Sequence, residues 1–139
     1  MQPHFCNIQL VDSEASQSDL SVSNLQGTIK PTQSLQSGCG EDLNALVLEA
    51  LPGQQFYITM LDFYWSNRSA QACDVIYGTL YDFERKESRN LCGGGRRNVE
   101  VMLTHGHRVK ITFNTHSASK FVLQYEGTGK TITTFFRHQ

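Results

Sequence analysis

Three features of this 139-residue chain could do chemistry: four cysteines, a glycine-rich run with a lysine near the C-terminal end, and two histidines flanking a glycine. The run Gly127-Thr128-Gly129-Lys130-Thr131 matches the last part of a phosphate-binding loop. That loop requires a further glycine five residues before Gly129, and the place is held by Gln124. It must also open a helix whose N-terminus faces the phosphates. The residues after Thr131 begin instead with the β-prone Ile132-Thr133-Thr134-Phe135. No nucleotide is expected, and the stretch reads as a glycine-rich exit from the last core strand. In His105-Gly106-His107 a regular strand would put both imidazoles on one face, the start of a zinc or copper site. The glycine between them signals a turn instead, and nothing singles out further ligands from His4, His116 and His138. These are read as surface turn histidines, with no metal and no cofactor expected.

Cys6, Cys39, Cys73 and Cys92 contain no C-x-x-C pair, which argues against a zinc ribbon and a thioredoxin-like redox motif. An even count at wide spacing fits two disulfides in an oxidising compartment. Four buried thiols in a cytosolic protein are the other reading. Asn67-Arg68-Ser69 is an acceptor triplet for N-glycosylation, though such triplets also arise by chance. Basic and acidic residues number 12 and 13, so no excess of positive charge exists to neutralise phosphates, and nucleic acid is not an expected partner. There is no G-x-S-x-G elbow, no H-E-x-x-H helix and no evident carboxylate pair for glycoside chemistry, so the protein is not expected to be an enzyme. Met1 to Leu10 has neither a basic leader nor a long apolar run and does not read as a signal peptide. No stretch approaches the roughly 20 apolar residues of a membrane span. An extracellular chain of this kind is expected to be a piece of a longer precursor, meeting a membrane only through that parent chain.

The elements that would position these residues are strands. Residues 12–37 are rich in Ser, Gln and Asp and read as loops with at most a short strand near Leu25 to Lys30. Leu43 to Leu51 suits either a short helix or a buried strand ending at Pro52-Gly53. Beyond it, Phe56, Ile58 and Met60, then Val99, Val101 and Leu103, then Val109, Ile111 and Phe113, then Phe121, Leu123 and Tyr125 each recur with period 2, which predicts four core-facing sets. Gly106 is placed in a hairpin turn between the second and third of these. Several short strands separated by turn signals predict an all-β, two-sheet antiparallel sandwich.

From about Leu25 to Gly127 the chain resembles a CUB domain, an extracellular β-sandwich module of jelly-roll type. Three segments carry the resemblance. Ala50 to Phe63 looks like the family's A-P-x-G-x-x-I-x-L-x-F-x-x-F strand, with Phe56, Ile58, Met60 and Phe63 at its apolar positions. Cys73 to Asp82 resembles the strand that opens with the third cysteine, and Leu91-Cys92-Gly93 resembles the C-G element, followed by two strands in the family's order. Lys120 to Tyr125 looks like the closing strand. The resemblance implies a Cys73–Cys92 disulfide and leaves Cys6–Cys39 for the second. Cys39 lies earlier, and Cys6 farther upstream, than the family pattern has them. Residues 1–24 would then be an N-terminal segment tied on by a disulfide, 25–127 the CUB-like domain, and 128–139 a linker or an extra strand. Many members bind Ca²⁺, but two carboxylate positions of that site read Ile76 and Thr115-His116 here, so the chain resembles a non-calcium-binding type even though Asp74 and Asp82 lie nearby in sequence.

The function implied by this resemblance is non-enzymatic binding of another extracellular protein or receptor subunit by a module of a secreted or cell-surface protein. Tyr64 and Trp65, where the best strand leaves the sandwich, and Arg96-Arg97, after three glycines, are the partner-binding candidates. Core or edge packing is the alternative role for the aromatics, and a solvated loop for the arginines. Asn67 would carry the glycan. The alternative function is carbohydrate binding on an aromatic platform of Tyr57, Tyr64 and Trp65. A third is an intracellular β-domain with free thiols.

Overall fold

Period-2 apolar runs make strands, and the described residues, 6–9, 26–64, 73 and 75–128 of the computed structural model, hold nine of them. They are β1 (Asn7–Gln9), β2 (Gln26–Ile29), β3 (Leu46–Glu49), β4 (Gln55–Asp62), β5 (Val75–Asp82), β6 (Glu87–Gly93), β7 (Asn98–Leu103), β8 (Arg108–Phe113) and β9 (Phe121–Thr128). One sheet runs β1-β3-β8-β5-β6 and the other β2-β9-β4-β7. Every pairing is antiparallel except that of β1 with β3. The protein is therefore an all-β, two-sheet sandwich.

Leu48, Leu80, Val109 and Ile111 from the five-stranded sheet meet Phe56, Ile58, Met60 and Leu123 from the other, all fully buried. Each such side chain contributes about 1.5–3 kcal/mol on burial. Tyr77 of β5 stacks on Phe121 of β9 across the layers, with ring centroids 4.8 Å apart.

Leu43 to Leu51 resolves as a strand. β3 covers Leu46–Glu49 and ends at a turn in which Gly53 has φ 94, a conformation that suits glycine after Pro52. The short strand expected near Leu25 is β2, but the loop expected after it contains α1 (Pro31–Gln36), a single helical stretch. Pro31 at its first position costs no hydrogen bond, because that N–H has no partner inside the helix.

Three core assignments shift. Val101 is buried as expected, but so is Met102, while Leu103 is 52% exposed. A register shift at Ile58/Thr59 in the β4–β7 pairing inserts one residue and turns the following side chains over. Phe63 is half exposed, and the inward slot after Met60 belongs to Asp62, fully buried at the end of β4. Gly106 does not lie in a hairpin, because β7 and β8 belong to different sheets. The segment between them crosses the sandwich. Thr104, fully buried, anchors that crossing: its hydroxyl accepts from the Phe56 amide (2.8 Å) and donates to the Gly106 carbonyl (2.8 Å). A hairpin does join β5 and β6, through the turn at Phe83–Lys86.

Gly127 and Thr128 continue β9 against Phe56 and Gln55, so the first part of the glycine-lysine run is strand, as expected for an exit from the last core strand. Gly129 and Lys130 lie outside the described residues.

Candidate functional site

Both disulfides are formed, Cys6–Cys39 and Cys73–Cys92. Bonds of this kind persist in oxidising compartments and are typical of extracellular proteins. Cys73–Cys92 closes the open end of the β5–β6 hairpin, and Cys6–Cys39 ties β1 to the segment after α1. This disposes of the free-thiol reading at all four positions.

The end of the sandwich beyond Cys73–Cys92 is organised by Asp62. Its Oδ1 accepts from the Tyr77 hydroxyl (2.8 Å) and the Tyr64 amide (2.9 Å), and its Oδ2 from the Gly94 amide (2.7 Å). The Asp62 amide in turn donates to the Arg97 carbonyl (2.7 Å), and the Phe63 amide to the Lys120 carbonyl (2.8 Å). One buried carboxylate thus joins the exit of β4, the start of β5 and the loop after β6. Burial first, and then the hydrogen bond to Asp62, hold the Tyr77 phenol well above its ordinary pKa.

Tyr64, Arg96 and Arg97 are brought together at this end, all exposed. Lys120 adds a third cation, its Nζ 5.2 Å from the centre of the Tyr64 ring. Neither arginine forms an ion pair among the described residues. Phe63 and Ile76 are exposed here too, and the turn carrying Leu43 leads into β3 at the same end. Among the described residues, four of the five large apolar or aromatic side chains most open to solvent therefore lie at one end; the fifth, Leu103, lies at the far end of β7. Trp65 and Asn67, expected to belong to this region, lie outside the described residues.

At the opposite end Asp82 plays the matching part. Its Oδ1 accepts from the Glu84 amide (2.9 Å), and its Oδ2 from the His105 amide (2.7 Å). His105 is exposed, and its ring lies against the Arg85 guanidinium. Among the described residues no group of three or more His, Cys, Asp and Glu side chains is placed to hold a metal. Asp82 stands at the far end of β5 from Cys73, roughly 30 Å along the extended chain, and Asp74 lies outside the described residues. The oxygen donors that remain near Cys73 in sequence are thus not gathered in space by Asp82.

Of the expected platform of Tyr57, Tyr64 and Trp65, the two tyrosines are not brought together, and Trp65 lies outside the described residues. Tyr57 sits within β4 on the outer face of the four-stranded sheet, whereas Tyr64 lies beyond the strand's end, about 23 Å farther along an extended chain. What sequence reasoning missed is Asp62: period 2 from Phe56 marks its slot as inward, and a carboxylate there demands buried donors. No family model and no curated protein matches this chain.

Proposed function

We propose that the protein is a non-enzymatic binding module of the CUB type, part of a secreted or cell-surface protein, and that it engages another extracellular protein through the end bearing Tyr64, Arg96 and Arg97. The observation that carries this reading is the Asp62 network, which fixes an exposed cationic and aromatic surface to the rigid sandwich. Pre-ordered loops lose less entropy on binding. Aromatic and Arg side chains are the residues most often dominant in interfaces. Arg96, Arg97 and Lys120 favour an acidic partner surface, whose carboxylates guanidiniums can grip in pairs. The two disulfides support an extracellular setting, and Asn67 is the glycan position.

The test is a binding screen of secreted and cell-surface proteins, using the chain made in secreting eukaryotic cells as a multivalent probe. A partner is expected whose binding falls at least about tenfold with Tyr64→Ala and with the pair Arg96→Glu and Arg97→Glu. Arg85→Ala, at the opposite end, should leave binding unchanged. A partner indifferent to the first two substitutions and lost with the third would overturn the assignment of the surface. Peptide mapping of the same material reports occupancy of Asn67; a secreted product never glycosylated there would remove that residue from the site.

A further inference from the structure

A second surface lies on the outer face of the four-stranded sheet, away from the loop end. There β2, β9 and β4 form an open groove of about 410 Å³. The register places its side chains in two rows across the three strands. Gln26 pairs with Glu126 and Glu126 with Tyr57; Thr28 pairs with Gln124 and Gln124 with Thr59. Gly27 and Tyr125 fall between the rows and alternate to the opposite face, where Tyr125 meets Phe56 edge-on at 6.4 Å. The floor between the rows is therefore backbone. Three strands and two rows span roughly 10 Å by 7 Å, the scale of one or two pyranose rings.

The chemistry of the six side chains is uniform in one respect: each can hydrogen-bond. The two carboxamides and two threonine hydroxyls both donate and accept, and the Glu126 carboxylate can accept from two neighbouring hydroxyls at once. Tyr57 adds an aromatic face, and the Glu100 carboxylate of β7 lies near enough to its hydroxyl to raise the phenol's pKa. Among the described residues no Lys or Arg lines the groove to neutralise a sulfate or phosphate. Nor does any described Leu, Ile, Val or Phe line it, so an apolar ligand would find little to bury. A ligand rich in neutral hydroxyls, with an aliphatic ring face to lay on a tyrosine, answers every group present.

We infer that the rows Gln26–Glu126–Tyr57 and Thr28–Gln124–Thr59 form a binding site for a short, uncharged oligosaccharide. This site shares only Tyr57 with the three-aromatic platform suggested by the sequence and does not depend on the loop-end surface.

The test is nuclear magnetic resonance titration of the isotope-labelled full chain with cello-, malto-, manno- and chito-oligosaccharides. Heparin and spermine serve as anionic and cationic counterparts. At millimolar concentration at least one neutral sugar should shift the backbone signals of Gln26, Thr28, Thr59, Gln124 and Glu126, with little dependence on salt. Tyr57→Ala should weaken that binding at least about tenfold. Gln124→Ala, at an exposed position that does not threaten the fold, should weaken it severalfold and serves as the second variant. The proposal is overturned if none of the neutral sugars shifts these signals, if the shifts fall elsewhere, or if heparin or spermine binds this face while the sugars do not.

Discussion

Asp62 is a charged residue with no exposed surface, and it survives burial because three donors converge on it. Asp62→Ala would leave the Tyr77 hydroxyl and the Gly94 amide without their acceptor, a loss of about 3 kcal/mol, measurable as a lower midpoint in chemical denaturation. Asp62→Asn should rescue little, since its amide nitrogen would face a donor on one side. Tyr77 has its own signature. Its pKa is raised from 10.0, first by burial and then by Asp62. The unfolded chain gives up that proton near pH 10 while the folded protein keeps it, so unfolding releases a proton above that point. Stability should be flat with respect to this group below pH 10 and fall as pH rises toward the folded-state value. Denaturation at a series of alkaline pH values should show a shallower fall in Tyr77→Phe, from a lower neutral baseline. Tyr57 and Tyr125, also raised, account for part of the remaining slope.

At the scale of elements, the sandwich is held by close approaches that leave no room for extra atoms. Gly78 lies in β5 between two partner strands, opposite Leu91 of β6 and Phe113 of β8, at a register shift in the β6 pairing. A methyl there would strike the Thr112 backbone carbonyl and crowd Leu91. Gly78→Ala should therefore destabilise by about 1–3 kcal/mol, the usual cost of overfilling a packed interior; thermal unfolding would show it. The reason is fixed backbone rather than a movable side chain, so compensation by a neighbour is not expected. The same logic explains the sequence-level miss in β7. Strict alternation from Val99 puts Leu103 inside, but the irregular pairing with β4 buries both Val101 and Met102 and sends Leu103 out. A bulge depends on the partner strand and leaves no mark in the composition of its own.

For the whole molecule, two disulfides constrain the unfolded chain over separations of 33 and 19 residues. In the chain-entropy picture the first stabilises by about 4 kcal/mol and the second by about 3 kcal/mol. Replacing Cys6 and Cys39 together by Ser should cost the larger amount and loosen β1, which is held besides by a three-residue parallel pairing with β3 and by Ile8 against the core. Hydrogen exchange at Asn7 and Ile8 would report the release. Replacing Cys73 and Cys92 should cost less globally. That pair nevertheless lies beside the Asp62 network, so loss of partner binding should accompany it while β1 stays protected.

Burial of apolar area is non-directional and repeats with strand geometry. Phe56, Ile58, Met60, Val109, Ile111, Phe121 and Leu123 therefore declared both the strands and the buried face in the sequence itself, and with them the two-sheet architecture. The four cysteines, even in number and widely spaced, likewise announced a disulfide framework. Partnership across the sheets was not legible in that way. Whether Gly106 turned a hairpin or crossed the sandwich depended on which strands β7 and β8 paired with, a matter of contacts distant in sequence. The convergence of Tyr64, Arg96 and Arg97 on one end required a carboxylate at position 62 to find its donors at 64, 77 and 94. The two polar rows on the four-stranded sheet arose only when β2, β9 and β4 came into register. Local periodicity is set by backbone stereochemistry and can be read along the chain; a site is set by side chains that meet across it, and only the folded chain brings those together.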